Sequence, residues 1–284
     1  MDALALQGLL TPPALALLGL CIGSFLNVVI HRWPLMLERE WRAESAELLG
    51  VAVEPPAEPL TLSKPASRCP ACGHRIRWHE NIPVLGWLRL RGKCSACRAP
   101  ISPRYPLVEV FTALVFAAIG WRFGPTPLAL LWCGAAAMLI ALAGIDWDTT
   151  FLPDNLTLPL LWAGLVAAAA GWTIPLADAV WGAVAGYLSL WSVYWLFKLL
   201  TGKEGMGFGD FKLLAALGAW LGLKMILPIV LIASLIGAVV GIAMKLRSSL
   251  REGRYVPFGP FLAGAGLTVM LAGPARVLGW IGWA

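Results

Sequence analysis

Eight runs of apolar sequence, at about 12–30, 106–121, 127–145, 156–171, 176–197, 211–223, 226–244 and 257–273, dominate this chain of 284 residues. A helix crosses the hydrocarbon of a bilayer with about 20 apolar residues. A water-soluble fold with runs this long would expose large apolar patches. Charged residues make up only 13% of the chain, against about 25% in soluble domains, and the mean hydropathy is +0.75. The expected fold is therefore an all-α polytopic membrane protein of about eight transmembrane helices. The sixth run is short, and a kinked or partly inserted helix there would leave seven.

The net charge of +6 does not mark a nucleic-acid partner. No basic face with interleaved aromatics stands out, and the Lys and Arg residues cluster between the apolar runs. Met1–Thr11 has no Lys or Arg, whereas His31 and Arg32 follow the first run at once. A cleaved signal peptide needs a positive start and a small-residue cleavage site, so this reads as an uncleaved first span with its N-terminus outside. The segments at about 31–105, 146–155, 198–210 and 245–256 then face the cytoplasm and hold nearly all the basic residues, as the positive-inside rule asks. One orientation satisfies every loop with eight spans.

The large polar segment predicts three parts: a first span at 1–32, a cytoplasmic module at 33–105 and a membrane domain at 106–284. Leu35 to Leu49 predicts a short amphipathic helix. Glu54-Pro-Pro-Ala-Glu-Pro59 reads as an extended linker, since Pro fixes φ and removes donors. The module carries two C-x-x-C pairs, Cys69/Cys72 and Cys94/Cys97, separated by 21 residues. Each pair places two thiolates on one turn, and two turns supply the four tetrahedral ligands of a structural zinc ion. Two disulfides are the alternative, which a reducing cytoplasm disfavours. His74 and His79 are read as bystanders, and Cys21 and Cys133 as small apolar residues within spans.

Acids at a membrane edge are costly and are functional candidates by default. Asp146 ends a span, and Asp210 opens one behind Gly205-Met-Gly-Phe-Gly209, on the same side and at similar depth. Two facing carboxyls share one proton, which suits metal-free amide hydrolysis. The same pair would suit an ion site in a transporter, although no inverted repeat is found. Asp148 and Asp154 are expected to be structural, Asp154 as a helix cap behind Pro153, and Asp178 to be a loop or cap residue on the other side.

Taken together, Gly23-Ser-Phe-Leu-Asn-Val-Val-Ile-His-Arg32, the four cysteines, Glu80-Asn-Ile-Pro-Val-Leu-Gly-Trp87, Ile101-Ser-Pro-Arg-Tyr-Pro-Leu-Val-Glu109, Asp146 with Leu152-Pro-Asp154, Gly207-Phe-Gly-Asp210 and Pro257-Phe-Gly-Pro260 carry a resemblance. In this order they resemble the bifunctional prepilin peptidases, GxGD-type aspartyl peptidases with N-methyltransferase activity. The stretch Leu35 to Thr61 has no counterpart in it, and Gly86-Trp87 departs from the family's usual residues.

The resemblance implies that Asp146 and Asp210 are catalytic. It implies cleavage of a short basic leader from type IV prepilins or pseudopilins, after Gly and before Phe. Methyl transfer from S-adenosylmethionine to the new amine is implied too, at the cytoplasmic side of a bacterial inner membrane. No Gly-rich Rossmann turn is present to bind that cofactor. The candidate residues near the cysteine module are Asn27, Glu80, Asn81, Arg104 and Glu109. Equally, Glu80-Asn81 caps a turn and Arg104 meets lipid head groups.

Overall fold

A computed structural model describes residues 10–51, 59–246 and 256–283. The linker expected at Glu54–Pro59, apart from Pro59, and most of the basic stretch at 245–254 lie outside the described residues. The described residues are helical with no regular strand. They fall into two compact units, up to Ala137 and from Met138 onward.

Helix α1 runs Pro12–Leu49, opening on prolines in its first turn and closing on Gly50 in the left-handed conformation. Pro suits a helix start because its missing N–H is one that has no partner there anyway. The amphipathic segment from Leu35 is therefore no separate helix but the second half of a 38-residue one. Pro34 lies inside it and costs one backbone hydrogen bond. The strong helix formers after it carry the helix through, helped by the Glu38–Arg42 pair at 2.5 Å. At 1.5 Å per residue α1 is about 57 Å long, nearly twice the thickness of the hydrocarbon core. Its apolar half packs on α3, Arg104–Phe123. The backbones meet closely: a Cβ at Gly19 would lie 2.7 Å from the Cα of Ala113.

Between them sits the cysteine module with a short helix α2, Leu85–Arg89, and a 3₁₀ turn at Trp78–Glu80. Isolated antiparallel bridges at Arg68–Arg75 and Lys93–Pro100 flank the two cysteine turns.

Helix α4, Pro127–Thr149, crosses the boundary between the units. The second unit continues with α5 (Asp154–Ala169), α6 (Leu176–Thr201), α7 (Phe208–Leu221), α8 (Ile226–Leu246), α9 (Gly259–Ala272) and α10 (Pro274–Trp280). Helix α7 is central: α5, α6 and α9 pack on it, and every residue from Asp210 to Leu221 except Lys212 is buried. A helix apolar on all sides needs that setting. Gly182 and Gly186 of α6 meet α7 backbone to backbone. A Cβ at Gly182 would strike the carbonyl of Gly218, and one at Gly186 would lie 2.5 Å from the carbonyl oxygen of Leu214. These small residues therefore pack helices within the chain.

All eight apolar runs fold as helices. Five are long and apolar enough to cross a bilayer, and six if α9 and α10, bent by 110°, count as one span. The difference from the eight expected lies in the short ones, α5 with 16 residues and α7 with 14.

Candidate active site and cysteine centre

Asp146 lies in the last turn of α4 and Asp210 in the first turn of α7. Both belong to the second unit and are buried, at 5% and 8% exposure. They are close enough to act on each other electrostatically. The Oδ2 of Asp146 accepts the backbone N–H of Gly259 at 3.0 Å. The Oδ1 of Asp210 is buried and has no partner. Gly209 lets the start of α7 close on the loop after α4, since a Cβ there would lie 2.7 Å from that of Leu152. Gly205 sits on the ring of Phe197 in the same way, and Gly207 has open space around it.

The structure treats the other acids differently. Asp148 and Asp178 are exposed. Asp154 does not cap α5, whose N-cap is Pro153 without a side-chain bond. Instead both its oxygens accept the Lys212 ammonium at 2.7 Å, across 58 residues of sequence that no local pattern bridges. This pair is substantially exposed, so Asp154→Asn is expected to cost no more than about 1 kcal/mol of stability and to leave substantial activity. A thermal melt and an activity assay of that variant check this, and a dead but folded Asp154→Asn would place Asp154 in the reaction.

Sequence reasoning also missed the setting of the loop before Asp210. Lys198 donates to Glu204 at 2.8 Å and to the Tyr194 hydroxyl at 3.3 Å. The ammonium lies 5.6 and 5.4 Å from the ring centres of Tyr194 and Trp195. Its hydrogen bond holds the Glu204 carboxyl below the usual range. Tyr194, Phe208 and Phe211 pack ring against ring beneath this clip.

In the first unit the four cysteines converge, with the sulfurs of Cys69, Cys72, Cys94 and Cys97 within 4.8 Å of one another. Cys69 and Cys97 are 3.8 Å apart, and Cys72 and Cys94 are 4.0 Å apart. A tetrahedral zinc with bonds of about 2.3 Å puts its sulfurs about 3.8 Å apart, so the donor set and spacing fit a metal ion. The two turns share one design. Gly73 and Arg98 take the left-handed conformation at matching places and donate to the carbonyls of Cys69 and Cys94. The N–H groups of Cys72 and Ala71 lower the Cys69 thiol to about 7. Those of Cys97 and Ala96 lower Cys94 likewise. Stabilised thiolates are what a metal needs.

The residues considered for a cofactor are distributed around the same unit. Glu109, 7% exposed, accepts the Val84 N–H at 2.7 Å. Val84 has φ 60°, an unusual state for a β-branched residue, and the carboxylate helps hold it there. Gly23 allows this approach, since a Cβ there would lie 2.7 Å from the Cα of Glu109. Asn27 donates to the Tyr105 carbonyl at 3.1 Å and so ties α1 to the start of α3. Glu80 accepts the Arg77 N–H at 2.9 Å, and its second neighbour is His74 at 3.7 Å. The Arg77 N–H and the Ser95 side chain lower its carboxyl. Glu80 thus closes the 3₁₀ turn in a capping box and reaches both cysteine turns. Asn81 ends that turn through its backbone, and Arg104 opens α3.

Residues 17–123 match the bacterial peptidase A24 N-terminal domain, and residues 133–242 match the type IV leader peptidase family. A prepilin leader peptidase/N-methyltransferase of Stutzerimonas stutzeri is 50% identical over 261 residues, which is 90% of this chain and 89% of the relative. The protein of that name from Pseudomonas aeruginosa is 51% identical over 279 residues, 96% of this chain and 94% of its own. That of Aeromonas hydrophila is 53% identical over 263 residues, 90% and 89% of the two chains. No solved structure matches the chain. The chain belongs to the type IV leader peptidase family and is an enzyme.

Proposed function

We propose that this enzyme cuts the short basic leader from type IV prepilins and pseudopilins, after Gly and before Phe, and then N-methylates the new N-terminal residue. The observation that carries the reading is the burial of two interacting carboxyls, Asp146 and Asp210, on two helices of one unit. Neighbouring carboxyls hold one proton between them. One takes a proton from water as its oxygen attacks the scissile carbonyl, while the other gives its proton to the carbonyl oxygen. The resulting gem-diol collapses as a proton passes to the leaving nitrogen. The C–N bond breaks, leaving the leader's carboxylic acid, which passes its proton to solvent, a free amine and a dyad that again holds one proton.

The division of labour follows the chain. The first span is 1–32, the cytoplasmic zinc module is 33–105, and the peptidase domain is 106–284. All eight apolar helices cross or enter the bacterial inner membrane, with both sites at its cytoplasmic face. Zinc is the metal for Cys69, Cys72, Cys94 and Cys97, in a closed structural site. S-adenosylmethionine, when bound, supplies the methyl group. Asn27, Glu80, Asn81, Arg104 and Glu109 surround its site, with Glu109 placed to take the proton the amine must lose. Incubating the purified enzyme with a prepilin and following leader release and methyl gain by mass tests both activities together.

Glu109 offers a sharper test, because its two roles separate by substitution. Glu109→Gln keeps an oxygen for the Val84 N–H but removes the base, so cleaved and unmethylated product with normal zinc content is expected. Glu109→Ala removes both. If Glu109→Gln methylates normally, the carboxylate only holds the Val84 turn and the site assignment fails.

A further inference from the structure

The inference concerns Gly259, the first residue of α9, and it rests on the aspartyl-dyad reading above. We propose that Gly259 is the positioning residue of the dyad: its backbone N–H fixes Asp146 as the carboxylate that activates water, which leaves Asp210 as the acid that protonates the scissile carbonyl.

Three observations point the same way. First, Gly259 is the donor that α9 has to give. The N–H groups of Phe261 and Leu262 already serve the Phe258 carbonyl at 3.1 and 3.2 Å, and Pro260 has none. The remaining N–H, at the end of a 14-residue helix where backbone dipoles favour a negative charge, bonds the Asp146 Oδ2 at 3.0 Å. A donor aimed at one oxygen favours the acceptor form of that carboxyl and sets its plane. The other oxygen receives no donor from α9 and is left for a water molecule.

Second, the site tolerates nothing larger than glycine. A Cβ on residue 259 would lie 2.5 Å from that same Oδ2 and 3.1 Å from the carboxyl carbon. Crowding and loss of aim therefore coincide at one atom. Third, the partner carboxyl is held less completely: the Gly207 N–H acts on it, but one of its oxygens is left over. Asp210 Oδ1 is buried and receives no donor. A buried oxygen without donors suits a protonated carboxyl whose O–H waits for an acceptor, and the scissile carbonyl supplies one. Water then loses its proton to Asp146, the carbonyl oxygen gains that of Asp210, and the charges balance.

The test uses the full-length enzyme purified in detergent with a prepilin, reading kcat and KM for leader release. Gly259→Ala is expected to lower kcat about 100-fold, the scale of an ångström's misplacement of a reacting group, with KM within about twofold. A thermal melt of the same preparation reports that the chain is folded. Packing is separated from positioning through Leu152, whose Cδ1 is the nearest carbon outside the carboxyl at 3.1 Å. Leu152→Ala relieves that contact, so the double variant Gly259→Ala/Leu152→Ala folds with room to spare. It is expected to stay about 100-fold below Leu152→Ala alone.

Recovery of the double variant to the Leu152→Ala level, or a Gly259→Ala kcat near wild type, overturns the proposal and leaves the dyad standing. Cleavage by Asp146→Asn in the same assay removes the dyad itself.

Discussion

Asp210→Asn is expected to leave prepilin intact, with the rate of leader release down by about 1,000-fold or more. Asn matches the shape of the acid and keeps α7 in place, so a loss reports chemistry and not packing. The amide has no acidic proton to give the scissile carbonyl and takes none back when the amine departs. Asp146→Asn is expected to fall as far, for the complementary reason that an amide does not deprotonate water. Membrane insertion should be normal for both. Asp148→Asn, an exposed neighbour two residues from Asp146, is expected to keep substantial activity and serves as the comparison. The measurement is the product mass, with insertion checked alongside. Full activity in either dyad variant removes the dyad, whereas complete loss in a well-inserted Asp148→Asn variant would give Asp210 a different partner.

Metal removal has the second large effect. The purified protein is expected to carry about one zinc per chain, and Cys72→Ser or a strong chelator is expected to unfold the module around it. A structural zinc site of this kind contributes an apparent ~10–16 kcal/mol. Little else holds these residues: the cysteine turns have one isolated bridge each, and few of their side chains are buried. Metal content by mass spectrometry, read with amide exchange across residues 61–103, tests this. Metal-free protein with four free thiols and unchanged exchange would sink it. On the dyad reading leader release takes no metal at Asp146 and Asp210, so any loss of cleavage on chelation is expected to follow unfolding of the module in time.

What the sequence made legible is what side chains announce. Apart from the second half of α1, the apolar runs located the helices to within a few residues, and the two C-x-x-C pairs located the cysteine cluster. The cost of an acid in a membrane singled out Asp146 and Asp210. The rest was written in backbone and in distance. The donor to Asp146 is an amide 113 residues away, and an amide has no letter of its own in the sequence. Pro257-Phe-Gly-Pro260 stood out as a motif with no role attached. Asp154 looked like a cap because Pro153 precedes it, but its true partner, Lys212, lies across a helix–helix contact that no local pattern encodes. The segment from Leu35 to Leu49 read as a short helix of its own, but it is the second half of α1, which continues through Pro34.

The crossing of α6 and α7 has a consequence for how this enzyme can change. Gly182 and Gly218 bring main chain against main chain, so the helices meet at a hard pivot with no side chain to yield. Asp210 stands eight residues from Gly218 along α7, about 12 Å at the helical rise. Any added carbon at the pivot forces the axes apart, and the far end of that lever is the proposed acid, Asp210. Substitutions at Gly182 or Gly218 therefore act as remote lesions of the reaction. Variation in lineages that keep the peptidase is expected to bypass this point and to accumulate on the exposed face of α6, where a new methyl group meets no packed neighbour.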